Sequence, residues 1–297
     1  MPLRETLFET PEVTLNYAEG PPNGPAFVLL HGGAARWQYG RDLLEALAEQ
    51  WHVFAPDFRG HGKSGRVAGA YCLGDYERDT AAFLAGAVQS PAIVYGHSLG
   101  GEVAVMLAAH HPDLVRAVIV GDAPLSRHQH ATEQPAHRAQ NVLWHGLAGR
   151  PAAEIEPALR DMPVLVPGAR VPTTRPAREV LGEHSPWFAS QAATLQQLDP
   201  DMLAAVLAGP DFMLAGYEPD VVLPAIRCPV LLLQADPRGP LQGGVLRDDE
   251  VELGLTLLGR ASHIRLEGIG HPLHGPPEQT RRVLEAITPF LREVGSQ

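Results

Sequence analysis

The chain has 297 residues, 45% of them hydrophobic and 19% charged, with a formal net charge of −11 at pH 7. That length buries a substantial core, as one large domain or one domain with a sizeable insertion, and the acidic balance argues against nucleic acid or an anionic membrane as partner. Met1 to Pro11 carries no apolar signal region, no run approaches bilayer length, and Cys72 and Cys228 fit no metal spacing, so the expectation is a cytoplasmic protein with two reduced thiols.

Glu5 to Glu19 reads as a pair of edge strands, since Val13 to Tyr17 alternates as a half-exposed strand does. Ala26 to Leu30 is a short buried strand that runs directly into His31-Gly32-Gly33-Ala34, where glycines past a strand end let backbone amides approach a ligand closely. A helix over Leu43 to Glu49, a buried strand over Trp51 to Asp57 and a helix over Asp75 to Val88 follow. Next comes Ala92-Ile93-Val94-Tyr95-Gly96-His97-Ser98-Leu99-Gly100-Gly101, a buried strand that passes into an apolar helix with no connecting loop, so the chain reverses through Ser98. Leu114 to Gly121 is a further strand, closed by Asp122.

Then the rhythm breaks. From about Leu125 to Pro224 helices are separated by prolines, with one ambiguous Val164-Leu165-Val166, which is too long for a plain loop in a compact domain. Strand and helix resume with Pro229 to Asp236, Asp248 to Leu258, Ala261 to Leu266 and a closing helix from Pro277 to Val294. The pattern predicts an α/β fold with a mostly parallel sheet. Its core spans residues 1–124 and 225–297, and residues 125–224 form a helical cap.

Gly96-His97-Ser98-Leu99-Gly100 is the spacing of a nucleophile elbow, which lifts a serine hydroxyl above the sheet at a helix N-terminus. An alcohol is a poor nucleophile at neutral pH, so Ser98 needs a base and the base needs an orienting acid. His271, in the loop after the last strand, is the best placed base. His31, His97 and His274 are weaker candidates. Two carboxylates end buried strands between the serine and this histidine, Asp122 and Asp236, and both suit the acid's role.

With these motifs in view the chain resembles the α/β-hydrolase superfamily over about Ala26 to Ser126 and Ala225 to Leu291. The resemblance rests on His31-Gly32-Gly33, on Asp57 to Ser64, on the elbow and on Gly268-Ile269-Gly270-His271. It implies an oxyanion hole formed by the Gly33 and Leu99 amides, a structural Asp57 and no cofactor. In most relatives the acid falls a little past the close of the seventh strand, a place held here by Arg238. The Ala235 to Gly239 loop resembles instead the branches, certain haloalkane dehalogenases and the zearalenone lactonases among them, whose acid ends the sixth strand. Asp122 holds that place, so it is preferred to Asp236. Dehalogenases and epoxide hydrolases of this fold use an aspartate nucleophile, and the serine at position 98 speaks against both reactions.

The expected lining of the substrate site is Trp37, Leu125, Trp144, Trp187, Phe188 and Met213. His128, His130, His137 and His145 are crowded in sequence but show no strong ligand spacing, so no metal is expected. The function implied is a serine hydrolase acting through an acyl-enzyme on a small to medium, mostly apolar ester or lactone. Amide, thioester and carbon–carbon bond cleavage, a cofactor-free haloperoxidase or dioxygenase, and a non-catalytic ligand receptor are the alternatives. A small-molecule substrate is the only partner implied, with a homodimer left open.

Overall fold

Apolar runs without alternation become the central strands of a single eight-stranded sheet. The structure is a computed structural model that describes residues 3–128, 135–166, 173–239, 243–274 and 277–295. Its strands are β1 (Arg4–Glu9), β2 (Thr14–Glu19), β3 (Ala26–Leu30), β4 (His52–Pro56), β5 (Ala92–His97), β6 (Val115–Gly121), β9 (Val230–Ala235) and β10 (Ala261–Leu266). They lie in the order β1-β2-β4-β3-β5-β6-β9-β10. β1 and β2 pair antiparallel, β2 joins β4 antiparallel, and every later pairing is parallel. All residues of β3, β5 and β9 are buried, whereas the edge strand β10 is half exposed.

Two hydrophobic clusters cover the two faces, as the period of a strand requires. On one face Ile93 and Tyr95 of β5 meet Leu43 and Leu44 of α1 (Arg41–Leu47) and Ile287 and Leu291 of α12 (Pro277–Gly295). On the other, Ala92 and Val94 meet Tyr76 and Phe83 of α2 (Leu73–Phe83) and Val103 and Leu107 of α3 (Leu99–His110). The helix predicted from Asp75 starts at Leu73, because the Asp75 carboxylate accepts the Cys72 amide at 2.8 Å and caps it.

Between β6 and β9 the chain forms α4 (Pro135–Leu147), α5 (Ala152–Asp161), α6 (Ala177–Leu181), α7 (Pro186–Gln197), α8 (Pro200–Ala208), α9 (Pro210–Met213) and α10 (Pro219–Ala225). Proline starts five of the seven, where its missing N–H costs nothing. The ambiguous apolar run becomes β7 (Pro163–Leu165), paired antiparallel with β8 (Thr174–Pro176) in a small sheet of its own. Among the bonds that tie this segment to the core loops, Gln191 Nε2 donates to the Ala34 carbonyl at 3.2 Å, the Asp199 amide to the Gly60 carbonyl at 2.8 Å, and the Tyr71 hydroxyl to Asp199 at 2.5 Å. No helix among the described residues is long and apolar enough to cross a membrane.

Candidate active site

Ser98 stands between the end of β5 and the first residue of α3, with φ 51° and ψ −122°. A non-glycine residue there is strained, by about 1–3 kcal/mol, and such strain persists only where the surroundings enforce it. The enforcement is close packing of strand on helix. A Cβ on Gly96 would overlap the Gly100 carbonyl, and a Cβ on Gly100 would overlap the Leu30 carbonyl. The Ser98 amide is fixed by the Gly121 carbonyl at 2.9 Å, which leaves the side chain pointing away from the sheet.

His271 and Asp122 meet this hydroxyl. His271 Nε2 lies 3.2 Å from Ser98 Oγ, and His271 Nδ1 lies 2.7 Å from Asp122 Oδ2. Asp122 is fully buried. Its φ of 45° turns the carboxylate under the end of β9, where Oδ1 accepts the Ala235 and Leu246 amides at 3.1 and 3.2 Å and Oδ2 also accepts the Val245 amide at 2.9 Å. A buried carboxylate with four donors has its acceptor positions satisfied and its orientation fixed. The His271 backbone is held as well, its amide donating to the Gly243 carbonyl at 3.1 Å.

Asp236 does not join this group. Its carboxylate accepts the Arg238 and Gly268 amides, both at 2.8 Å, and these bonds hold its pKa below the usual value. It ties its own loop to the turn after β10. The reason is direction: β6 lies between the serine strand and β9, so a carboxylate at the end of β6 reaches the histidine, whereas that of Asp236 faces Gly268.

Gly33 and Leu99 both line the cavity that opens over Ser98, and as the first residue of α3 Leu99 has an amide without an intrahelical acceptor. The cavity measures about 560 Å³. Trp144, Trp187 and Met213 line it, with Met162, Met202 and Leu203 beside them. Trp37, Leu125 and Phe188 do not, which corrects the sequence expectation. Trp37 turns to β1 instead, its indole donating to Glu5 at 2.7 Å with the Arg41 guanidinium 4.8 Å from its ring. Leu125 packs near Gly254 while its carbonyl accepts the Tyr217 hydroxyl, and Phe188 turns to Arg160 of α5. Each is an apolar side chain claimed by interior packing.

The remaining histidines divide cleanly. His31 donates from Nδ1 to the Gly32 carbonyl at 2.7 Å and accepts the Phe58 amide on Nε2 at 3.0 Å, so it is a neutral strut; burial lowers its pKa to about 4. His274 is buried, and burial lowers its pKa to about 3. Asp57, read from the sequence as structural, accepts the Trp37 amide, the Asn16 side chain and the Lys63 amide. Three residues stand elsewhere than the sequence reading placed them or were not considered in it. His97, weighed there only as a weaker base, sits beneath His271 and bonds its backbone; His137 of α4, weighed only as a metal ligand, lines the cavity; and Arg36 lines it just past the glycine loop. Burial, and then the neighbouring His271, push His137 down to about 4. Only Arg36 left a readable sign, as the one charged residue close after the glycine loop. Among the described residues no group of His, Cys, Asp and Glu is placed to hold a metal ion, and His130 lies outside them.

A strained serine at the strand-to-helix turn, backed by a histidine and a carboxylate drawn from later strand ends, defines a class. The fold is the alpha/beta hydrolase fold, and residues 25–157 match the family of that description. It is 28% identical over 253 residues to the 2-(acetamidomethylene)succinate hydrolase of Mesorhizobium japonicum, an alignment covering 72% of this chain and 90% of that protein. The enol-lactonase of Burkholderia xenovorans LB400 superposes with a TM-score of 0.70 at 16% identity, over 98% of this chain and all of that one. A thermophilic esterase from Thermogutta terrifontis gives 0.69 at 21% identity, over 99% of this chain and all of that one. At such identities the two structures speak for the fold alone.

Proposed function

We propose that the protein is a serine hydrolase that cleaves a small to medium carboxylic ester or lactone through an acyl-enzyme. The observation that carries this reading is the hydrogen-bond chain from Ser98 Oγ through His271 to buried Asp122. His271 Nε2 takes the Ser98 proton as Oγ attacks the carbonyl carbon, and Asp122 holds Nδ1–H and stabilises the imidazolium that forms. The tetrahedral oxyanion rests against the Gly33 and Leu99 amides, where loss of one donor costs about 3 kcal/mol. Collapse passes the proton from His271 to the leaving alcohol. Water, deprotonated by the same imidazole, then releases the acid.

Residues 125–224 act as a cap in this reading, because Trp144, Trp187 and Met213 reach the cavity from them. Serine at position 98 also separates the chain from the aspartate nucleophiles of epoxide hydrolases, although it is 32% identical over 156 residues to epoxide hydrolase B of Mycobacterium tuberculosis, of which it covers 40%. The name of the Mesorhizobium relative makes a succinate-derived substrate a natural first compound to try. The deciding experiment is labelling by a fluorophosphonate together with turnover of a p-nitrophenyl ester panel. Stoichiometric labelling that vanishes in Ser98→Ala, with turnover of short esters, supports the hydrolase. Ligand binding with neither labelling nor turnover identifies a receptor.

A further inference from the structure

The cavity wall carries a charge that acyl transfer does not use. Arg36 follows the glycine loop closely, lines the cavity and is half-buried. Its one hydrogen bond among the described residues goes to the neutral Gln197 side chain of α7, at 3.4 Å. The carboxylates of Asp57 and Glu5 attract it from beyond ion-pair distance, and Arg41 repels it. Both carboxylates are already engaged, Asp57 by the Trp37 amide and Asn16, and Glu5 by the Trp37 indole, Gln38 and Lys63. Burial without a paired anion lowers the Arg36 pKa, so the folded protein holds this cation at a disadvantage that a bound anion relieves.

Other features of the wall agree. The Trp144 indole N–H is buried with no acceptor among the described residues, although Trp144 lines the same cavity. Three arginines line it, Arg36, Arg138 and Arg247, against a single carboxylate among the described residues, Glu102. Arg138 is exposed and Arg247 pairs with Asp249, which leaves Arg36 as the cation with burial and no counter-charge among the described residues. In a chain of net charge −11 this wall carries the opposite sign.

We propose that the molecule acted on at Ser98 carries a carboxylate remote from the bond that is cleaved, and that Arg36 receives it on the oxyanion-loop side of the cavity. The planar fork of a guanidinium matches a carboxylate with two parallel hydrogen bonds. Arg36 is the one half-buried cation of the wall without an ion-pair partner among the described residues, and a single carboxylate supplies the counter-charge it lacks. The inference takes its substrate from the hydrolase reading, but the recognition itself needs no turnover.

The test uses a matched pair, the mono-4-nitrophenyl ester of adipic acid and the same compound with its free acid methylated. The wild-type protein is expected to favour the acid by about tenfold or more in kcat/KM, the range of a charge-assisted hydrogen bond. That ratio should collapse toward one in Arg36→Gln and be partly kept in Arg36→Lys, with unfolding temperatures measured alongside. In parallel, adipate is titrated calorimetrically into Ser98→Ala and into Ser98→Ala carrying Arg36→Gln, with weaker binding expected in the second by about tenfold. Equal turnover of acid and methyl ester by the wild type, or adipate binding indifferent to Arg36, overturns the proposal and leaves the hydrolase intact. Arg36-dependent binding of adipate with no turnover of either ester does the reverse.

Discussion

His97 donates from Nε2 to the backbone carbonyl of His271 at 2.8 Å, and the two rings lie 4.9 Å apart at 34°. The residue before Ser98 is thus the floor on which His271 rests. Its own base strength is suppressed, because burial and then the neighbouring His271 and His274 hold its pKa well below the usual histidine value. A neutral ring can support an imidazolium forming above it without adding a second positive charge.

Removing that floor should loosen the base more than the pocket. His97→Leu is expected to lower kcat by about tenfold while KM moves little, since a small misplacement of a catalytic group is felt in the chemical step. His97→Gln, which keeps a donor, should recover part of the loss. Steady-state kinetics on a short p-nitrophenyl ester read the difference, and a change confined to KM would refute it.

The two strand-end carboxylates should separate sharply. Asp122→Asn is expected to cut turnover by about 10⁴-fold, since the amide presents His271 with the wrong partner. Asp236→Asn should leave kcat within a few fold and lower the unfolding temperature, because it weakens two backbone hydrogen bonds worth about 1 kcal/mol each. Since those bonds hold the Asp236 pKa low, their contribution is present above the ordinary carboxylate range and fades on acidification. Loss of activity in the Asp236 variant, with Asp122→Asn still active, would reverse the roles.

Acid should destabilise the fold well before carboxylates titrate. His31 is lowered from 6.5 to about 4, and His61 and His274 from 6.5 to about 3, each chiefly by burial. Between those values and 6.5 the unfolded chain binds protons that the folded one refuses, so stability falls as pH drops through that window. Each group adds a slope of up to about 1.4 kcal/mol per pH unit. Urea midpoints measured from about pH 7 to pH 5 should decline, and His31→Gln should flatten the decline. A midpoint constant over this range would contradict the neutral assignment.

The elbow glycines should tolerate nothing larger. Gly96→Ala and Gly100→Ala each drive a methyl group into a carbonyl of an adjacent element, so strand and helix cannot close. The expected cost is about 3 kcal/mol or more, read as loss of soluble protein or a large fall in unfolding temperature. Soluble, wild-type-stable variants would mean the turn is less tightly packed than described.

The succession of strands and helices and the strand-to-helix turn at Ser98 were legible because each is written locally. Five consecutive buried residues from Ala26 or a Gly-His-Ser-Leu-Gly run leaves few ways to fold. The acid was harder, since Asp122 and Asp236 both follow apolar strands and only the left-handed turn at Asp122 sends one carboxylate toward the histidine. Substrate-facing residues were the least readable. Trp37, Leu125 and Phe188 look like Trp144 and Met213 in composition, and which of them faces a cavity depends on packing between segments far apart in the chain. Arg36 was overlooked because a charge in a loop is ordinarily solvated.

Asp122 has all four of its acceptor positions filled, three of them by backbone amides of Ala235, Val245 and Leu246. Gly243, Gly244 and Val245 in turn carry the backbone bond to His271 and part of the cavity wall. A compound wedged against that short loop would therefore displace His271 and Asp122 without ever touching Ser98. Dislodging one stretch of main chain unseats both side chains together.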